Sequence, residues 1–147
     1  ARHEVDFVLV GGMAAKTHGN TRMTDDVDLI PGPDPQNLAR LAEALRALGA
    51  QVLNPAPEHL EIDAAMLPRE TIWQFATPHG DIDVLHDAPG AAPYGQLRDR
   101  ALVIALGDAQ IPVAGRDDLI RMKLARGRPV DRADAAALVD AETDEDD

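Results

Sequence analysis

Residues 7–30 constrain this chain more than any other stretch. They read Phe-Val-Leu-Val-Gly-Gly-Met-Ala-Ala-Lys-Thr-His-Gly-Asn-Thr-Arg-Met-Thr-Asp-Asp-Val-Asp-Leu-Ile. The apolar run Phe7–Val10 predicts a buried strand, Gly11-Gly12 a tight turn, and the following residues a short helix carrying Ala14, Ala15 and His18. A second strand is expected over Val27–Ile30. Side chains alternate along a strand, so Asp26 and Asp28 share one face while Val27 and Leu29 point to the core. Two carboxylates at fixed spacing form an oxygen-rich site suited to a hard divalent cation, above all Mg²⁺. A Gly-Gly turn that opens a helix exposes backbone N–H groups able to cradle a phosphate. A phosphate cradle and a metal site joined by one helical crossover are a pattern for phosphoryl transfer.

The rest of the chain bounds this reading. At 147 residues the size predicts one domain with a real core. No apolar run approaches a membrane span and no signal peptide is visible. The chain starts at Ala1 rather than Met, as expected of a trimmed chain or a piece of a longer one. With no cysteine, disulfides, thiolate metal sites and thiol catalysis are excluded, and a cytoplasmic location is expected. The net charge of −12 argues at first against nucleic acid. Its distribution weakens that objection without deciding the substrate, because residues 131–147 carry eight acids against one base, whereas residues 116–132 carry six Lys/Arg against three Asp. The last seven residues, Ala-Glu-Thr-Asp-Glu-Asp-Asp, are too charged to pack and read as a disordered tail over 141–147, leaving a domain over 1–140.

Between these ends the pattern is α/β. Pro31-Gly-Pro-Asp-Pro35 should end the second strand. Pro35–Leu48 is an amphipathic helix, with Leu38, Leu41, Leu45 and Leu48 on one stripe and Gly49 beyond its end. A short strand at Gln51–Leu53 and an irregular connection over Pro55–Arg69 come next. Thr71–Ala76, the turn Thr77-Pro-His-Gly80 and Asp81–Leu85 read as a hairpin whose Trp73 and Phe75 belong to the core. Asp83 sits between aliphatics on a strand able to lie beside Val27–Ile30; taken alone it could also be a polar position on a half-exposed strand. Asp81 shares its face and is the weaker, outer candidate. Further on, a short helix or turn (Tyr94–Ala101), strands at Leu102–Leu106 and Ile111–Val113, and helices at Arg116–Arg126 and Val130–Val139 complete the prediction.

Two charges fall on apolar faces. In the 116–126 helix, Leu119, Ile120, Met122 and Leu124 form the expected inward face, and Lys123 lies near its centre. In the last helix Asp134 sits four residues after Val130, on the face of Ala137 and Leu138. A buried ion pair stabilises little after desolvation, so Lys123 is read as a cation for phosphates and Asp134 as its orienting partner. Asp117 and Asp118 suit the first turn of their helix through its dipole. The five histidines lack zinc-ligand spacing; His18 reads as packing, and Arg22 is as well suited to a phosphate as to the surface.

The ordered set of Gly11-Gly12, Asp26-Val27-Asp28, His18-Gly19, Arg22 and Thr24 resembles the polymerase-β-type nucleotidyltransferase superfamily, and its AbiEii-like branch in particular. Met122-Lys123, Gly127-Arg128-Pro129 and Asp131-Arg132-Ala133-Asp134 are similar to the later motif of that branch. The resemblance runs to about Val139. It implies a nucleotidyltransferase fold, a small mixed sheet with helices packed on it. It implies a metal set of Asp26, Asp28 and Asp83 holding two Mg²⁺ ions, and phosphate contacts at Gly11, Gly12, Arg22 and Thr24. Lys123 and Asp134 complete its site. It further implies an NTP substrate, a tRNA or protein acceptor, and a cognate toxin or antitoxin partner in a toxin–antitoxin or phage-defence system. Toxin members often continue well past this length, so a substrate-recognition domain is expected to be absent. Met13 departs from the pattern, standing where many members carry Ser or Thr; Thr17 or Thr24 could supply the missing hydroxyl. The alternative from another class is a domain of this fold that has lost catalysis and serves as a binding or regulatory, antitoxin-like module.

Overall fold

The computed structural model describes residues 4–11, 27–57, 60–127, 129, 132–133 and 135–139. Among them seven strands form one mixed sheet: β1 (Phe7–Val10), β2 (Val27–Pro31), β3 (Gln51–Val52), β4 (Ile72–Thr77), β5 (Gly80–Leu85), β6 (Leu102–Leu106) and β7 (Ala109–Val113). Their spatial order is β3-β4-β5-β2-β1-β7-β6. The pairs β1–β2, β3–β4, β4–β5 and β6–β7 are antiparallel, whereas β2–β5 and β1–β7 are parallel. Helices α1 (Pro35–Ala47), α2 (Tyr94–Asp99) and α3 (Arg116–Arg126) connect them, with a 3₁₀ turn at Leu67–Arg69. Residues 135–139 are also helical.

Strand alternation divides the apolar residues between the two faces of the sheet. Leu29 and Val84, directly opposite each other, join Trp73 and Phe75 on one face, where Leu38, Leu41 and Leu45 of α1 cover them. Val8, Val10 and Ile30 face the other way and meet Leu97 of α2, Leu119 and Met122 of α3, and Leu138. Both faces of β1 and β2 are therefore cored, and burying such a leucine or valine contributes about 1.5–3 kcal/mol.

Local chemistry sets the element ends. Asp34 caps α1 by accepting from the Gln36 N–H at 3.2 Å, and Pro35 supplies the helical φ at the first position. The turn before α1 is fastened by Asn37, which is 2% exposed. Its Nδ2 donates to the Asp6 carbonyl (2.8 Å) and the Gly32 carbonyl (2.9 Å), and its Oδ1 accepts from the Asp6 N–H (2.7 Å). This side chain ties the start of β1 to the end of β2, which fixes the register that carries Asp28. Pro31 lies inside β2 rather than beyond it, opposite Phe7 at the last rung. The strand expected at Ile111–Val113 is longer, Ala109–Val113, because it completes a hairpin with β6.

Candidate active site

The carboxyl end of β1 abuts the side chain of Asp28. Val10 is the cross-strand partner of Asp28, and Gly11 follows with φ +73°. A Cβ added at Gly11 would fall 2.0 Å from Asp28 Oδ2 and 2.8 Å from its Cγ. Glycine is needed here twice, for a left-handed backbone and for the space the carboxylate fills. Asp28 is in turn paired with Asp83 across the parallel strands β2 and β5. Direct partners share a face, and neighbouring strands lie about 4.8 Å apart. Two acids at opposed positions disfavour the sheet on their own, so stability is a poor reason for this placement. Both are half-buried. Asp81, two residues earlier on the same face, is exposed.

Helix α3 packs on that same face. Leu119 and Met122 join Val8, Val10 and Ile30 in one cluster, and Lys123 is buried with them at 5% exposure. The buried face of α3 is Asp118, Leu119, Met122 and Lys123. Leu124, expected to face inward, is 55% exposed: the helix is turned so that an acid rather than this leucine lies inside. Asp118 is 2% exposed, and its role goes beyond the expected first-turn dipole contact. Arg100, at the end of α2, donates from Nε and Nη2 to its two oxygens at 3.0 and 2.6 Å, and Arg121 Nη2 adds a bond of 2.8 Å. Burial pushes the Asp118 carboxyl up, but the bonds and charges of the two arginines outweigh it and hold it below its ordinary value. The cluster locks α3 against α2, and with it the position of Lys123. Sequence reading missed it, since the nearest hint is an acid at i and an arginine at i+3, common on any exposed helix.

The loop before α2 also rests on α3. At Gly90 (φ +78°) a Cβ would lie 2.6 Å from the Arg121 carbonyl oxygen and 2.7 Å from Ala125 Cβ. His86, at the end of β5, is half-buried, and desolvation lowers its pKa against the opposing charge of Asp87. His79 is exposed in the hairpin turn.

Of the expected site residues, Gly11, Asp28, Asp83 and Lys123 are described, and the first three come together at one end of the β1–β2–β5 group. Asp26, Gly12, Arg22, Thr24 and Asp134 lie outside the described residues, as do Met13, Thr17, His18 and the segment 141–147. Among the described residues no three His, Asp or Glu side chains cluster as a metal site. The described part of the expected metal set is therefore the Asp28–Asp83 pair. That pair fits a hard cation in kind: it offers carboxylate oxygens from adjacent strands, and the glycine beside it leaves room for the Asp28 carboxylate. No described helix is long and apolar enough to cross a membrane.

No protein-family model and no curated protein sequence matches the chain. Solved structures do match it. The lincosamide antibiotic adenylyltransferase LnuA, bound to lincomycin, superposes with a TM-score of 0.58 at 17% identity, covering 94% of this chain and 88% of the other. ANT(2'')-Ia in complex with adenylyl-2''-tobramycin gives 0.59 at 15% identity, covering 99% and 84%. An antigenic nucleotidyltransferase-like protein from Paracoccidioides brasiliensis gives 0.53 at 15% identity, covering 93% and 67%. The fold is the α/β fold of the nucleotidyltransferases, as the motifs of residues 7–30 imply.

Proposed function

We propose that this chain transfers a nucleoside monophosphate from an NTP to a hydroxyl group of an acceptor, releasing pyrophosphate. The observation that carries the reading is the direct pairing of Asp28 with Asp83 beside Gly11. The likeness to an adenylyltransferase and to a structure holding an adenylylated product supports it.

In this reading the acceptor oxygen attacks the α-phosphorus, a new P–O bond forms, and the bond to the bridging α–β oxygen breaks. The electron pair leaves with pyrophosphate, and Asp83 takes the hydroxyl proton. Asp28 and Asp83, with Asp26, would hold Mg²⁺, which when bound supplies positive charge against the attacking and leaving oxygens. Backbone N–H groups of Gly11 and Gly12 hold the phosphates, with Arg22 and Thr24 beside them. Lys123, on the helix that covers this face, offsets charge that grows in the transition state, and Asp134 orients it. The buried Asp118–Arg100 contact keeps that helix in place.

The AbiEii-like pattern supports a cytoplasmic toxin–antitoxin or phage-defence role with a tRNA or protein acceptor. The test is incubation with each α-labelled NTP, Mg²⁺, and total tRNA, cell protein or small polyols. Label transfer lost in Asp28→Asn supports the reading. Absence of transfer to every acceptor, with no NTP bound, favours a binding module.

A further inference from the structure

The two edges of the sheet are built differently. At one end β3 is two residues long, and beyond it the edge of β4 is taken by Asn54. Its Oδ1 accepts from the Gln74 N–H (2.7 Å) and its Nδ2 donates to the Ile72 carbonyl (2.9 Å). A short, capped edge resists a further strand. At the other end β6 runs Leu102-Val103-Ile104-Ala105-Leu106, with no charge, no proline and, among the described residues, no capping side chain. Leu102 and Val103 are 54% and 51% exposed, and Ala105 is exposed. An apolar edge left open in this way is a template for another strand.

The phase of the β6–β7 hairpin decides which backbone groups that edge offers. The strands are joined by the two-residue turn Gly107-Asp108, with Gly107 at φ +59°, and Leu106 and Ala109 close it. A turn of this kind is closed by a hydrogen-bonded pair, and bonded pairs alternate with non-bonded ones. Ile104 with Ile111 and Leu102 with Val113 are then bonded pairs, whereas Val103 lies opposite Pro112, which has no N–H to give. The Ala114 N–H turns the other way and donates to the Leu9 carbonyl of β1 at 2.9 Å, as this phase requires. The N–H and C=O groups of Val103 and Ala105 therefore point away from the sheet.

We infer that β6 pairs edge to edge with β6 of a second copy of this chain, antiparallel about Ile104. Val103 lies opposite Ala105 of the second copy, and the two Ile104 residues face one another. The charges that flank β6 favour this partner and this direction. Arg100, two residues before the strand, comes level with Asp108 of the second copy, two residues after its strand, and the two-fold axis repeats the match. Arg100 is held by Asp118 and its side chain is still 45% exposed; Asp108 is exposed. A parallel copy would set Arg100 beside Arg100. Each chain carries −12, but at ~0.15 M salt charges more than about 8 Å apart are largely screened, so the close pairs decide. A two-fold contact is closed, and the capped edges beyond β3 leave the joined sheet no end at which to grow. Two five-residue strands bury less than the about 1,200–2,000 Å² of a standard interface, so the dimer is a weak one.

Sedimentation velocity over a wide range of concentration tests the pairing. The wild-type chain is expected to pass from monomer to dimer as concentration rises, and to stop there. Val103→Lys, at an exposed position, should keep its Tm but set a charge in the joint and remain monomeric. The register is read by cross-linking, since the chain has no cysteine of its own. In the new pair Ile104 stands at a non-bonded position, where Cα atoms lie about 4.5 Å apart, within reach of a disulfide. Under oxidised glutathione Ile104→Cys should therefore join to its own copy, while Val103→Cys should join only when mixed with Ala105→Cys. That mixed pair, at exposed positions, keeps the register testable where Ile104→Cys loosens the core. A chain that stays monomeric at every concentration overturns the inference. So does a dimer that survives Val103→Lys, or one that neither Ile104→Cys nor the mixed pair cross-links, because another surface then holds the copies together.

Discussion

Gly11 and Asp28 are fitted to one another so closely that a single methyl group at residue 11 would sit 2.0 Å from the Asp28 carboxylate oxygen. The turn after β1 and the acid on β2 are thus one unit, though seventeen positions apart in the chain. Gly11→Ala should therefore act at the site as well as on the fold. A left-handed alanine costs about 1–2 kcal/mol, and the Asp28 carboxylate must also move. We expect a folded protein of lower melting temperature whose Mg²⁺–NTP affinity falls by more than about tenfold. Unchanged affinity in calorimetry would show that the close fit has no bearing on ligand.

Asp118 gives a pH signature. Its carboxyl is held below its ordinary value of 3.8 in the folded chain, so its stabilisation is complete above that value and disappears as pH falls through the lower, folded one. Asp118→Asn should be less stable than wild type near neutral pH by roughly 2–3 kcal/mol, the scale of hydrogen bonds to a charged group. The gap should begin to narrow only as pH falls below 3.8 and close below the lower, folded value. Urea unfolding at several pH values checks this, and a gap that is constant down to pH 2 contradicts it.

These two sites mark where the sequence could be read and where it could not. The bounds of β1 and α3 follow from apolar periodicity and from Gly, which act locally, whereas the hairpin lies one residue off at three ends, Ile72–Thr77 and Gly80–Leu85, because Thr77 and Gly80 pair as its last rung. The motif at residues 7–30 pointed to the fold because its two apolar runs are the paired strands β1 and β2, which bring Gly11 against Asp28. The burial of Asp118 was not legible, because Arg100 lies eighteen residues away and only packing brings them together. Leu124 was misplaced for a related reason: a helical wheel ranks residues by polarity, whereas α3 is turned to bury Asp118 and Lys123. The pairing of Asp28 with Asp83 needed the parallel β2–β5 register, which alternation along either strand alone does not provide. Asp26 and Asp134 stand as expectations from sequence.

Asn37 offers a test of how the register of β2 is held. It makes three hydrogen bonds to the backbone of Asp6 and Gly32 while buried. Asn37→Leu, similar in size, leaves those groups without their partner and should cost about 2–4 kcal/mol. For a chain of this size that is roughly 5–15 °C in Tm. A variant within 1–2 °C of wild type would mean that the turn is held by other contacts.

Lys123 separates chemistry from packing. Lys123→Met keeps volume and apolar contact on the buried face of α3, so the fold should survive. If the lysine serves the phosphates, transfer should fall by about 10²–10³-fold. Asp134→Asn should cost less, and the double variant should be no slower than Lys123→Met alone. A folded and fully active Lys123→Met protein leaves the lysine with a structural role.

The most direct measurement is NTP binding by calorimetry with Mg²⁺ and with EDTA, for wild type, Asp28→Asn and Asp83→Asn. The account predicts binding to wild type that requires the metal, raises Tm with the logarithm of NTP concentration once it exceeds Kd, and is lost in both variants. Equal NTP affinity in Mg²⁺ and EDTA, or wild-type affinity in either variant, would contradict it.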